Sequence, residues 1–292
     1  MGKLIKNEKD MYISVSNDNS YFRKSKKTST KLRKAINPNL EKGSQFYYEK
    51  DTKLNELNNT IDIDSIRYKH ISSMGPSQRI ILHHPDARVK VPQDLFPYKD
   101  ICLLLIEDNQ GNTYYGTGFF ISERCVITAG HCVFYNGDWV DEICVIPGAN
   151  GNDKPFGKQI STNFKSVLGW TNDSKNDFDH GAIILNDNTL FKNINAVFEF
   201  KPFQNEYKGE ISGYPSDKDG TQWKGEGSIY SSTDYRLFYD IDTVTGNSGS
   251  PVYIEDGDRR IVIGIHSFGD NPNSAVSVNQ EIINLWNDWS NL

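Results

Sequence analysis

Near the C-terminus, the run Thr243-Val244-Thr245-Gly246-Asn247-Ser248-Gly249-Ser250-Pro251 sets one serine in a bend just ahead of the apolar Val252-Tyr253-Ile254. Glycine at 246 and 249 reaches backbone angles that a Cβ forbids, so amide groups there can converge on one point. A serine so placed can attack a carbonyl carbon while the N–H groups of Gly246 and Ser248 receive the oxygen as it becomes anionic. Its hydroxyl is a weak nucleophile until an imidazole takes the proton. His131 offers one, after the short apolar run Val126-Ile127-Thr128 and the small residues Ala129-Gly130. A carboxylate is then needed to hold the imidazole's tautomer and stabilise its charged form. Asp179, and two residues earlier Asp177, stand just ahead of the apolar Ala182-Ile183-Ile184-Leu185. Each piece alone has a plainer reading: a Gly/Ser-rich loop, a packed or capping histidine, a turn aspartate. In the chain order His, Asp, Ser they describe nucleophilic acyl transfer.

Short strands between turns must carry these residues. Ile101–Ile106 and Tyr114–Ile121 read as strands joined by the turn Asp108-Asn109-Gln110-Gly111-Asn112. Cys125–Thr128 leads into His131, and Ala182–Leu185 follows Asp179. Further on, Trp223–Tyr230, Arg236–Ile241, Val252–Ile254 and Ile261–Ile265 read as strands, with Pro147–Asn152 a loop. Only the tail changes period: Ile282, Ile283, Trp286 and Trp289 recur at helical spacing within Asn279–Leu292, which predicts a helix docked by packing tryptophans. No internal repeat and no phosphate-binding glycine motif is present.

The segments "TAGHC", "DHGAIIL", "ISGYPSDK", "GNSGSPVY" and "VIGIHSFG" together resemble the chymotrypsin-fold serine proteases of the bacterial glutamyl endopeptidase group, relatives of the exfoliative toxins. The resemblance runs from about Ile80 to the C-terminus. It implies an all-β fold of two packed six-stranded antiparallel barrels, about 80–195 and 196–292, with a C-terminal helix and a poorly structured N-terminal extension. It favours Asp179 over Asp177, because the family's aspartate is followed directly by a strand. It also implies a carboxylate-binding pocket made by His266 and Thr243, with Ser274 as a further hydroxyl. Asp242 stands where trypsin-like pockets carry the acid that binds Lys or Arg, so cleavage after Lys or Arg is the alternative to cleavage after Glu, with Asp second. A catalytically silent, toxin-like binding relative is a remoter reading.

Charge divides the chain. Residues 1–79 hold 16 Lys and Arg against 9 Asp and Glu, whereas residues 80–292 hold 16 against 29. Such a split marks a segment with its own role. Met1–Asn58 is rich in Lys, Asn, Ser and Thr with few sustained apolar periods, and Arg23–Lys34 is a basic cluster. By resemblance, residues 1–79 are a pro-segment and an activating protease cuts at Arg79-Ile80, after the breaker Gly75-Pro76. Ile80 is then the mature N-terminus, whose α-amine helps recognise the substrate carboxylate. Substrates are proteins or peptides; no nucleic acid, membrane, cofactor or metal is expected, and the protein is read as a monomer. His83 and His84 beside Asp86 lack a second ligand cluster and read as surface residues. The family is secreted, yet the first twenty residues hold no apolar core of a signal peptide, and no apolar run of about 18 residues exists. Lys6 stands where a myristoylation signal needs Ser or Thr. Cys102, Cys125, Cys132 and Cys144 permit bridges whose pairing the sequence leaves open. Many relatives bridge the position of Cys132 to the preceding strand, near Gly116 here.

Overall fold

A computed structural model describes residues 8–17, 47–49, 67–68, 85–204, 206–269 and 272–292. A 3-10 turn at Glu8–Tyr12 leads into β1 (Ser14–Ser16), followed by β2 (Tyr47–Glu49), β3 (Arg67–Tyr68) and β4 (Val89–Lys90). Next come β5 (Ile101–Glu107), β6 (Thr113–Phe120), β7 (Cys125–Thr128) and the short helix α1 (Gly130–Val133). A small hairpin, β8 (Phe134–Tyr135) and β9 (Asp138–Trp139), precedes β10 (Glu142–Pro147), β11 (Gln159–Ser161) and β12 (Phe164–Val167). Helix α2 (Leu168–Thr171), β13 (Gly181–Ile184) and α3 (Thr189–Ile194) complete this half.

The first barrel is the run β12-β13-β7-β6-β5-β10, lengthened by β11 at one edge and by β1 at the other. Its hairpins follow from the sequence. Asp108 caps the β5–β6 turn by accepting the N–H groups of Gln110 (2.8 Å) and Asn112 (2.9 Å), the local bonding that makes aspartate a turn former. Every residue of β5 and β7 is buried, which matches their continuous apolar runs.

The second barrel contains β15 (Tyr207–Gly213), β16 (Trp223–Thr233), β17 (Arg236–Tyr239), β18 (Pro251–Asp256), β19 (Arg259–Phe268) and β20 (Asn273–Ser277). Because β19 pairs with both β18 and β20, these six strands close in the order β18-β15-β16-β17-β20-β19. The short β14 (Glu199–Phe200) adds a parallel ladder to β19. Closure removes the exposed strand edges that would otherwise invite pairing with another chain.

The tail forms helix α4 (Gln280–Ser290), where the sequence placed it, and Asn279 caps it by accepting the Ile282 N–H at 3.0 Å. Ile282, Leu285, Trp286 and Trp289 face the core, with Trp286 against Phe119 and Phe200. The helix thus joins the core that fills the first barrel. Of the extension, β1 and β2 join the first sheet, β1 on β12 and β2 on β6, a feature outside the polar reading of 1–58. Ile80, Arg79 and the His83-His84 pair lie outside the described residues.

All four cysteines are buried free thiols. Position 116 does face Cys132, since a Cβ there would lie 3.2 Å from Sγ, but the residue is glycine and no bridge forms. Trp286→Ala removes a fully buried indole and should cost about 3–5 kcal/mol, read from urea unfolding of the variant.

Candidate active site

Two antiparallel strands bring a histidine and an aspartate to one end of the first barrel. The β7–β13 register pairs Thr128 with Gly181 and Ile127 with Ala182. His131 lies three residues beyond Thr128, and Asp179 lies two before Gly181, so both emerge at the same end. Asp179 is wholly buried and gives one oxygen to the His131 ring Nδ1 and the other to the His131 backbone N–H, each at 2.7 Å. A carboxylate bonded at Nδ1 fixes the tautomer that leaves Nε2 to act as a base. Burial disfavours charge on the ring, but Asp179 more than offsets this, and the His131 pKa stands well above its ordinary value. Asp177 sits in the adjoining 3-10 turn Asn176–Phe178, half-buried, and makes no such pair.

The bend carrying Ser248 is fastened to the first barrel by Thr117 of β6. The Thr117 N–H donates to the Ser248 carbonyl (2.8 Å), and its hydroxyl donates to the Gly246 carbonyl (2.8 Å). That hydroxyl also accepts the Tyr214 N–H (3.0 Å), while the Thr117 carbonyl accepts the Thr128 hydroxyl (2.7 Å). One residue therefore ties together β6, β7, the end of β15 and the serine bend. The bend runs so close to its neighbours that Gly246 and Gly249 take φ of 96° and 88°. A Cβ on Gly249 would clash with the Thr117 carbonyl and the Thr128 hydroxyl. The amides of Asn247, Gly249 and Ser250 are spent on the carbonyls of Val244, His266 and Asn247. Among the described residues no backbone carbonyl takes the amides of Gly246 and Ser248. Ser248 itself is half-exposed, and its carbonyl lies 3.9 Å from Sγ of Cys132, the neighbour of His131. The Phe268 ring, on the strand beside the bend, lies 6.3 Å from the His131 ring.

Three candidate specificity residues fall in the second barrel beside this bend. His266 is buried, with Nδ1 2.6 Å from the Tyr239 hydroxyl. Burial, then the positive charges at His131 and Arg236, push its pKa down to about 3, so the ring is neutral. Burial also raises Tyr239 well above the ordinary phenol value, which keeps its hydroxyl protonated. We therefore assign Tyr239 as donor to Nδ1, which leaves the His266 proton on Nε2. Among the described residues, nothing takes a hydrogen bond with the buried Thr243 Oγ1. Ser274 Oγ accepts from Arg236 Nη2. The Arg236 guanidinium also donates to the Asn176 carbonyl (2.9 Å) and lies 5.1 Å from the Phe268 ring. Asp242 is buried too, and its carboxylate accepts the Ala87 N–H at 3.3 Å. The chain around Ala87 is held by Arg88, which pairs with both oxygens of Asp217 (3.0 and 2.6 Å) and with Asp86.

The sequence model of the trypsin family matches residues 102–289. The chain belongs to the trypsin family. It is a serine endopeptidase, acting on protein or peptide substrates. An extracellular metalloprotease of Bacillus subtilis (strain 168) is 34% identical over 233 residues, 76% of this chain and 73% of the relative. A glutamyl endopeptidase of Bacillus licheniformis is 33% identical over 190 residues, 60% of this chain and 59% of the relative. One from Staphylococcus epidermidis is 29% identical over 234 residues, 77% and 79% of the two chains. The solved structure of a Glu endopeptidase in complex with MPD superposes with a TM-score of 0.63 at 24% identity, covering 70% of this chain and 97% of that one, a likeness of fold. Among the described residues no three His, Cys, Asp or Glu side chains are grouped so as to hold a metal ion.

Thr117, Tyr239 and Arg236 were not singled out by the sequence. A threonine between Gly116 and Gly118 in an otherwise apolar strand was a usable signal for the first. The other two carry none, since their partners are distant in the chain.

Thr117→Val strands the Gly246 carbonyl and the Tyr214 amide, and should cost about 1–3 kcal/mol of stability together with turnover, read by thermal unfolding and steady-state kinetics. Asp179→Asn should lower kcat about 10⁴-fold. It should also move the acid limb of kcat/KM to lower pH, because the charge that raises the His131 pKa is gone. Asp177→Asn should leave both close to wild type.

Proposed function

We propose that this protease cleaves after glutamate, with aspartate second, by a triad of His131, Asp179 and Ser248. The observation that carries the specificity is His266: a buried, neutral imidazole whose Nδ1 is taken by Tyr239, leaving an Nε2–H donor for a substrate carboxylate. The unpartnered Thr243 hydroxyl is a second donor, and Arg236 on Ser274 adds a buried positive charge nearby. Asp242, the residue a Lys/Arg pocket would use, is bonded instead to the backbone of Ala87.

In the reaction, His131 Nε2 takes the proton of Ser248 Oγ as the oxygen attacks the scissile carbonyl. Asp179 stabilises the imidazolium, and the amides of Gly246 and Ser248 receive the oxyanion. His131 then protonates the leaving amine, and water releases the acyl group by the same route in reverse.

Residues 1–79 act in this reading as a pro-segment, cut at Arg79-Ile80. The bond between Ala87 and Asp242 supports it, because the chain just after that junction already lies against the loop that carries Thr243. A new α-amine with a pKa of about 7.7–8.0 is mostly charged at neutral pH and complements an acidic substrate. The protein works outside the cell in this reading, as the Bacillus subtilis relative is named extracellular. Among the described residues no helix is long and apolar enough to cross a membrane.

Ser248→Ala should lower kcat about 10⁶-fold and abolish labelling by a fluorophosphonate, with the fold intact by circular dichroism. An unlabelled wild type would point to a silent relative. Peptide-library profiling should give cleavage after Glu, and His266→Ala should lose more activity on Glu substrates than on apolar ones. Cleavage after Lys or Arg that disappears in Asp242→Ala would replace this specificity. Trace trypsin should raise activity on a Glu substrate as Ile80 becomes the N-terminus; a full chain already fully active would exclude the activation step.

A further inference from the structure

Residues 8–17 do not lie apart from the protease body. β1 extends the first sheet by pairing antiparallel with β12, Ser14 opposite Val167, Val15 opposite Ser166 and Ser16 opposite Lys165. The ladder continues at both ends, where Leu168 N–H donates to the Ile13 carbonyl (3.0 Å) and Asn17 N–H to the Phe164 carbonyl (3.4 Å). Side chains reinforce it. Asn17 Oδ1 accepts the Phe164 N–H (3.0 Å), Lys165 Nζ donates to Ser16 Oγ (2.8 Å), and Met11 and Val15 are buried. The C-terminal helix closes over the same segment: Trp289 Nε1 donates to Ser14 Oγ (2.9 Å), and Asn279 donates to the Tyr12 hydroxyl (2.7 Å).

Both neighbours of Asp179 rest on this assembly. Phe178 packs its ring 5.0 Å from that of Tyr12. The carbonyl of His180 accepts Ser166 Oγ (2.9 Å), from the residue opposite Val15, and its ring lies 6.0 Å from that of Trp289. Without β1, the β12 edge would expose its unpaired backbone groups, and Phe178 and Trp289 would each lose a partner.

We propose that residues 8–17 are a lasting positioning strap for the Asp179 hairpin, and that the surface formed by β12, α2 and α4 keeps this extended segment bound after the chain is cut at the 79–80 junction. The inference rests on the reading of Asp179 as the triad carboxylate. It divides the extension in two: the release of a new N-terminus at Ile80 does not require the loss of β1, so the active enzyme consists of two chains. The strap acts through Asp179 on His131 and makes no contact with substrate.

The test uses the full chain, cut with trace trypsin and passed over gel filtration with mass spectrometry of the peak. The fragment carrying residues 8–17 should co-elute with the protease body. Val15→Asp places a charge at a buried strap position. It should lower kcat on a Glu substrate about 10²-fold, the scale of a misplaced catalytic group, with little change in KM. The acid limb of its pH profile should move to lower pH as Asp179 loosens from His131. A synthetic peptide of residues 8–17 added in excess should restore turnover. Should Val15→Asp not fold, Tyr12→Ala removes the ring against Phe178 and the hydroxyl that Asn279 donates to, and the same fall in kcat and shift of the acid limb are expected at smaller size. A fragment that separates while full activity remains, or a folded variant with wild-type kcat and pH profile, overturns the strap. Fluorophosphonate labelling of the wild type is run alongside: absence of label at Ser248 overturns the triad instead, and co-elution still decides whether the strap stays bound.

Discussion

Asp179 has no exposed surface, and both its oxygens are committed to His131, one to the ring and one to the backbone. An ion taken out of water loses several kcal/mol of solvation unless its partners are well placed. The pair therefore demands that two chain segments meet at one fixed register. The β7–β13 ladder supplies that register, and α1 turns the chain so that the ring and the amide of His131 face the same carboxylate. Histidine and carboxylate meet because a buried carboxylate is satisfied in only one way.

Ser248 belongs to the other barrel, so the candidate site depends equally on the seam between them. Thr117 spends its amide and hydroxyl on that seam, while its carbonyl accepts the Thr128 hydroxyl within the first barrel. The serine bend can approach this closely only because residues 246 and 249 have no side chain. A clamp of backbone hydrogen bonds resists shear better than apolar packing does, because the bonds weaken steeply when misaligned. Placement of the reacting atoms within a fraction of an ångström is what such a clamp provides.

Positive charge is arranged more diffusely. Arg236 lies buried beneath Phe268, bonded to Ser274 and to the Asn176 carbonyl, and its field reaches His266. The His266 ring is kept neutral by burial and by this charge, so it can donate a hydrogen bond but is not a cation. In the proposed glutamate pocket, the formal charge opposite an acidic substrate comes from Arg236 and from the N-terminal amine of the activation reading.

Much of this protein was legible in its residues. Runs such as Cys125–Thr128 and Gly181–Ile184 announce buried strands, since a strand covered on both faces can be apolar throughout. The Gly-x-Ser-Gly bend announces its own geometry, because only glycine tolerates it. The helical tail was equally plain from the spacing of Ile282, Trp286 and Trp289. The resemblance already favoured Asp179 over Asp177, and the β7–β13 register adds a physical reason, since it sets Asp179 and not Asp177 against the His131 imidazole. Tyr239 on His266 and Thr117 on the serine bend pair residues far apart in the chain, and no local pattern encodes such contacts. The strand at Ser14–Ser16 is the clearest case. Its segment, residues 8–17, is polar apart from Met11, Tyr12, Ile13 and Val15 and too short to bury a face by itself. It becomes a strand because β12 offers an unpaired edge and Trp289 a donor, and both of these exist only once the barrel and the C-terminal helix are in place.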